Sequence, residues 1–269
     1  MKKTILITGS TDGIGLKTAI MLAEMGHKVL VHGRNAQKIE QAVKLILVSS
    51  PNAEVGSYQA DLSLLSEVTL LAKRIKQQHV VIDVLINNAG VFNVADIETK
   101  DGLDARFMVN TIAPYLLYKL LLSLLGNQSR VINLSSAAQA SLSADELTKP
   151  SFLADGTVYA QSKLALTMWT YGVAKQLQNT GPAVIAVNPK SLLGSKMVKQ
   201  AYGIAGGDLK IGADILIKAA LSEAFADVSG QYFDNDIGQF TVAHPDAANA
   251  LKCQQVIDVM DGIIAQNLN

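Results

Sequence analysis

Apolar residues in this chain gather into short β-branched runs, and between the runs they recur every three or four positions. The short runs predict strands over residues 4–8, 28–32, 55–59, 84–87, 130–134, 183–188 and 231–233. The longer periodic stretches predict helices over 13–25, 36–48, 63–78, 104–125, 158–178, 210–225 and 246–264. Strict alternation of strand and helix is the signature of an α/β fold with a doubly wound parallel sheet of about seven strands and helices on both faces. No repeat, low-complexity tract or Gly/Ser/Pro linker interrupts residues 1–269, so one continuous domain is expected. Two segments break the rhythm, 137–157 and 192–212, and irregular stretches of this length in a compact domain are expected to serve as functional lids.

Composition narrows the function classes. Lys plus Arg and Asp plus Glu number 23 each, so no net field favours nucleic acid or an anionic membrane, and a charged ligand has to be met locally. The single cysteine, Cys253, has no partner for a disulfide or a redox motif, and a reducing, cytoplasmic setting is expected. The apolar run at 115–125 is interrupted by Lys119 and falls short of the roughly 20 residues of a bilayer span, so no membrane span is expected. His27, His32, His79 and His244 are scattered without ligand spacing, no GxSxG surrounds a serine, and no basic stripe interleaves with aromatics. Metal, hydrolase and nucleic-acid readings fall away.

The first predicted strand runs into ILITGSTDGIGLKTA, residues 5–19, where Gly9, Gly13 and Gly15 open a helix. Strand, tight turn and helix N-terminus with side chains removed let backbone amides approach a pyrophosphate. Gly9 then permits the turn, Gly13 the close approach, and Gly15 the packing of helix on strand. After the second strand, where an NAD-selective site carries an acidic residue, the chain reads His32-Gly33-Arg34-Asn35. A cation there suits a 2′-phosphate, which favours NADP. Further on, Tyr159 and Lys163 stand four apart in a helical pattern and share one face, so they can act as one acid–base unit.

Together these motifs resemble the short-chain dehydrogenase/reductase family, a Rossmann-type fold. TGSTDGIG at 8–15 resembles its cofactor turn, Asp61-Leu62 its adenine contact, and Asn87-Asn88-Ala89-Gly90 the segment after the fourth strand. Val109-Asn110 is similar to the helical asparagine, Leu134-Ser135-Ser136 to the serine strand, and Tyr159 to Lys163 to the active-site motif. The resemblance implies an NADP-dependent oxidoreductase acting on a small-molecule carbonyl or alcohol. Tyr159 is then the acid/base, Lys163 holds the nicotinamide ribose and lowers the tyrosine pKa, Ser136 bonds the reacting oxygen, and Asn110 holds a relay water. It further implies cofactor contacts at Gly9, Ser10, Asp12, Gly13, Ile14, Gly15, Arg34, Asn35, Asp61, Leu62, Asn88, Ala89, Gly90, Tyr159, Lys163, Pro189 and Ser195.

The pattern departs in one place. Where the family carries Asn-Pro-Gly the chain reads Asn188-Pro189-Lys190-Ser191, and a positive φ at Lys190 would strain the backbone. Ser195 stands near the place of the family's threonine. The long gap between Ser136 and Tyr159 and the SGQYF stretch at 229–233 resemble the retinol dehydrogenase and protochlorophyllide reductase branch, which implies bulky lipophilic substrates. Phe152, Leu192, Leu193, Met197 and Tyr202 either line that pocket or anchor their loops. The family's dimer surface implies a homodimer, with Leu120, Leu121, Trp169 and Tyr171 as interface or core. An NADP-occupied sensor with little catalysis and a reductase of activated double bonds remain as alternatives.

Overall fold

The computed structural model describes residues 1–178 and 180–267. These form one α/β domain around an eight-stranded sheet of order β3-β2-β1-β4-β5-β6-β7-β8. The strands are β1 (Thr4–Ile7), β2 (Lys28–Gly33), β3 (Val55–Gln59), β4 (Val84–Asn87), β5 (Arg130–Leu134), β6 (Ala183–Asn188), β7 (Tyr232–Asp234) and β8 (Gln239–Thr241). All neighbours pair in parallel except β7 and β8, which close an antiparallel hairpin. The sheet therefore has one strand more than the seven expected. β8 is three residues long and partly exposed, too short to show any alternation.

Side chains alternate between two cores, as a sheet covered on both faces requires. Ile5, Ile7, Val29, Val31, Val84 and Ile86 face one core with α1 (Gly13–Glu24), α2 (Ala36–Ser49) and, later in the chain, α8 (Leu209–Leu221). Leu6, Leu30, Leu85 and Val131 face the other, against α3 (Leu65–Gln78), α5 (Ala113–Leu121), α6 (Asp155–Leu177) and α9 (Ala250–Asn267). Leu121 and Trp169 lie in that second core with no exposed surface.

The helix expected over 104–125 is not uniform. It begins as α4 (Ala105–Phe107), widens into a π-turn at Met108–Ile112, continues as α5, and ends in a 3-10 turn at Leu122–Leu124. Pro114 has no N–H to return to the Asn110 carbonyl, and the ladder shifts to i→i+5 just before it. The composite run Ala105–Leu124 spans 20 residues with mean hydropathy 1.4, so it is long and apolar enough to cross a bilayer, unlike the shorter run counted from sequence. In the fold most of it is buried.

The two irregular segments are more ordered than their sequence suggests. Residues Ala144–Thr148 form a 3-10 turn closed by a reciprocal Ser143–Glu146 capping box. In the second segment α7 (Lys196–Tyr202) is bracketed by a backbone bridge between Leu193 and Gly207. A Cβ on Gly206 would lie 2.6 Å from the Gly194 Cα, so these two glycines let the ends of the loop touch.

Candidate active site

Strand order reverses between β1 and β4, and in sheets of this kind ligands bind beyond the carboxyl ends of the strands at that point. A cavity of about 320 Å³ lies there. The glycine turn forms one wall. Gly9 has φ +64° and an added Cβ would sit 2.8 Å from the Ala89 Cα, so the turn is pressed against the loop after β4. Gly13, at φ +56°, meets nothing nearer than the Ser195 Cβ at 3.9 Å, which leaves bare backbone facing the cavity. At Gly15 an added Cβ would fall 2.4 Å from the Asn88 Nδ2 and 2.6 Å from the Gly9 oxygen. Gly15 thus packs the helix against the β4 loop and the turn itself, where strand packing was expected.

Of the expected cofactor positions, Gly9, Asp12, Gly13, Ile14, Gly15, Arg34, Asp61, Leu62, Asn88, Ala89, Gly90, Tyr159, Lys163, Pro189 and Ser195 line this cavity. Two do not. Ser10 is fully buried, its hydroxyl donating to the Ile7 carbonyl and accepting from the His32 N–H, so it ties the turn to β2. Asn35 caps α2 by accepting from the Lys38 N–H at 3.0 Å. Thr11, His32 and Gly33, given no cofactor contact from the sequence, also line the cavity, as does Met197, expected in the substrate pocket. Glycine is required at Gly33 because a Cβ there would strike the Thr11 Cγ2 at 2.6 Å.

The residues present suit a dinucleotide. A helix N-terminus offers its first amides, with the Asp12 carboxylate satisfying that of Gly13, and bare glycine backbone lines the approach. At the far end Arg34 is exposed, and its guanidinium has no ion-pair partner among the described residues.

At the near end the cavity meets a second one of about 170 Å³, lined by Phe92, Ser136, Lys190, Leu192, Leu193, Met197, Val198 and Tyr202 among others. Tyr159, Ser135, Pro189 and Ser195 border both. Phe152 lines neither and is 86% exposed, whereas Leu193 is 3% exposed and also anchors its loop. The Phe92 ring packs on Tyr159 with centroids 4.9 Å apart and on Tyr202 at 5.8 Å.

Burial pushes the Tyr159 phenol up to about 12; the Tyr202 phenol adds to this and the Ser136 hydroxyl, bonded to it, opposes it. Burial likewise draws Lys163 down to about 8. The Lys163 Nζ donates to the Leu134 carbonyl at 2.7 Å and lies 5.6 Å from the Tyr159 ring centroid. Lys163 is not among the groups that move the Tyr159 phenol in this arrangement, where only the Ser136 hydroxyl draws it down. Ser135 is committed elsewhere, its hydroxyl bonded to Thr167 at 2.7 Å, which leaves Ser136 as the serine beside Tyr159. The Ser136 carbonyl is held in turn by Tyr232 and Gln139.

Asn110 lies behind the site and borders neither cavity. Its Oδ1 accepts from the Val91 N–H, and its Nδ2 donates to the Val91 carbonyl and the Ser162 hydroxyl. The side chain is a clip between the β4 loop and α6, with both its N–H groups and one Oδ1 lone pair engaged there. A second brace lies at the start of α6. The fully buried Arg106 pairs with Asp104 at 2.8 Å and Asp155 at 2.6 Å and donates to the Ser151 carbonyl.

Lys190 adopts φ +112°, the conformation that the replacement of glycine made suspect, and Leu192 follows at φ +54°. The loop is held by Asp236, which accepts from the Ser191 N–H at 3.1 Å, from its hydroxyl, and from Asn188.

The short chain dehydrogenase family model matches residues 3–202. The chain belongs to the short-chain dehydrogenase family. Human retinol dehydrogenase 13 is 32% identical over 86% of this chain and 76% of its own. Human polyprenol dehydrogenase is 32% identical over 87% and 77%. Among solved structures, the Pseudomonas aeruginosa RhlG/NADP complex superposes with a TM-score of 0.70 at 23% identity, covering 86% of this chain and 94% of the other. A metagenomic short-chain oxidoreductase in complex with NADP does so at 0.65 and 25%, covering 84% and 94%. This short-chain dehydrogenase is thus an oxidoreductase of the retinol dehydrogenase-like branch that takes a nicotinamide cofactor.

Proposed function

We propose that this short-chain dehydrogenase is an NADPH-dependent reductase of bulky apolar carbonyl compounds that runs in reverse as an alcohol dehydrogenase. The observation that carries the reading is the position of Tyr159 at the junction of the two cavities, beside Ser136 and one helical turn from Lys163. When bound, the nicotinamide supplies or accepts the hydride. The phenol, pushed up to about 12, carries its proton at neutral pH, the state needed to protonate an oxygen gaining negative charge. The Ser136 hydroxyl donates to that same oxygen where charge develops. Lys163, a buried ammonium on the next turn, attracts the phenolate left behind.

Arg34 supports NADPH over NADH, because an unpaired guanidinium at the end of β2 matches a 2′-phosphate bidentately. The apolar pocket wall supports a lipophilic substrate, in keeping with relatives named for retinol and polyprenol, both lipophilic alcohols. The test is a parallel titration with NADPH and NADH, then mixing with a panel of aldehydes, ketones and enones while following nicotinamide absorbance. Tight NADPH binding, oxidation by an apolar carbonyl, and loss of turnover with retained binding in Tyr159→Phe are expected. Unchanged turnover in Tyr159→Phe refutes the assignment. Binding without oxidation by any carbonyl favours a sensor, and oxidation by enones alone favours double-bond reduction.

A further inference from the structure

His32 sits near the end of β2 with 2% of its surface exposed, at the wall of the cavity of about 320 Å³. Its Nδ1 accepts from the Gly9 N–H at 3.1 Å, and its Nε2 lies 3.2 Å from the Ala60 carbonyl oxygen. A carbonyl only accepts, so Nε2 carries the proton; an amide N–H only donates, so Nδ1 carries the lone pair. The two contacts together select one neutral tautomer. The main chain of His32 closes the same turn twice more, accepting from the Ser10 N–H and donating to its hydroxyl, each at 3.0 Å. Gly9 is thereby clamped, with Ala89 against its Cα on one side and the imidazole holding its amide on the other. Ala60 leads directly into Asp61 and Leu62, which line the opposite part of the cavity.

We propose that His32 is a positioning residue for the dinucleotide: as the Nε2–H tautomer it joins the Gly9 turn to the Ala60–Leu62 segment and fixes the spacing of the two walls between which the cofactor lies. The proposal rests on reading this cavity as the cofactor site. The imidazole touches no reacting atom, so its effect falls on binding and leaves the chemical step alone. Burial keeps it neutral, its pKa drawn down to about 4, with the Ala60 carbonyl and Asp61 opposing.

Two substitutions separate the contacts, because an asparagine Oδ1 falls near the place of Nδ1 and a glutamine Nε2 near that of the histidine Nε2. His32→Asn keeps an acceptor for Gly9 and loses the donor to Ala60; His32→Gln does the reverse. The NADPH dissociation constant, followed by nicotinamide fluorescence, is expected to rise about tenfold in each variant, since either substitution removes one buried hydrogen bond and severs the bridge. The kcat at saturating NADPH stays within about twofold of wild type in both. A dissociation constant within about threefold of wild type in either variant, or a drop in kcat without a change in binding, overturns the positioning role. The ¹⁵N imidazole shifts of the wild-type protein test the tautomer without variants: a protonated Nε2 and a bare Nδ1 between about pH 5 and 8 are expected, and a protonated Nδ1 overturns the lock. If the wild-type protein binds neither NADPH nor NADH, the cofactor reading fails, and the imidazole shifts still decide whether His32 holds the Gly9 turn.

Discussion

Replacing Gly15 with alanine puts the role of the glycine turn to a quantitative test. The new methyl would lie 2.4 Å from the Asn88 Nδ2, 2.6 Å from the Gly9 oxygen and 3.1 Å from the Asn88 Cγ. One of these groups has to move. Asn88 holds its place by donating to the Thr8 and Gly9 carbonyls at 2.8 and 3.1 Å. Overpacking a dense site costs about 1–3 kcal/mol. Each of the two hydrogen bonds lost adds about 1 kcal/mol. The intrinsic preference for alanine inside a helix returns about 0.5–1 kcal/mol. A net loss of about 3 kcal/mol is expected, which lowers the thermal midpoint by about 6–12 °C for a domain of this size. Gly262→Ala is the control, since it lies in α9 with nothing within 4 Å of an added Cβ. Its midpoint should hold or rise slightly. Circular dichroism melts of the three proteins, with an NADPH titration of each, read both consequences. A Gly15→Ala protein as stable as wild type, with unaltered cofactor affinity, would refute the close approach of turn and β4 loop.

Arg34→Ala should weaken NADPH about tenfold, the size of one exposed charge-assisted contact, and leave NADH nearly unaffected; equal weakening of both, seen by titration, removes the 2′-phosphate from the account. Lys190→Gly should relieve about 1–3 kcal/mol of backbone strain against about 0.5–1 kcal/mol of added chain entropy, so the melting midpoint should rise by a few degrees, and a fall contradicts the strain. Arg106→Leu should cost about 3–5 kcal/mol in denaturant unfolding, because Asp104 is left buried without its cation, and Asp104→Asn in the same protein should recover part of the loss.

The first seven strands and the two-sided burial of the sheet were legible because runs such as Val84 to Ile86 are apolar throughout, the mark of strands covered on both faces. β8 was not, since Gln239–Thr241 joins the sheet only through a turn at Gly238, φ +72°, and carries no pattern of its own. The π-turn at Met108–Ile112 also escaped notice: hydrophobic spacing hardly changes when the ladder slips by one residue, although Asn110 and Pro114 hinted at a break. At the site, motif positions told which residues gather but not how each is used. Ser10 and Asn35 belong to the motif and spend their side chains on the backbone. His32 stands in the stretch read for cofactor selectivity, yet its side chain bonds Gly9 and Ala60, both distant in sequence, so no local pattern announced its use. The positive φ at Lys190 was foreseeable, as only the family's glycine adopts it without strain.

The loop carrying Lys190 takes its shape from residues some 45 positions further along. Asp234 and Asp236, in the turn between β7 and β8, grip Asn188 and Ser191, and Asn235 holds the Pro189 carbonyl. The matched family segment ends at 202, ahead of that hairpin. Loop and hairpin therefore form one structural unit split in the chain. A recombinant that takes 189–212 from a relative must take 232–241 with it, since a foreign loop on the native hairpin would meet two carboxylates with nothing arranged to receive them.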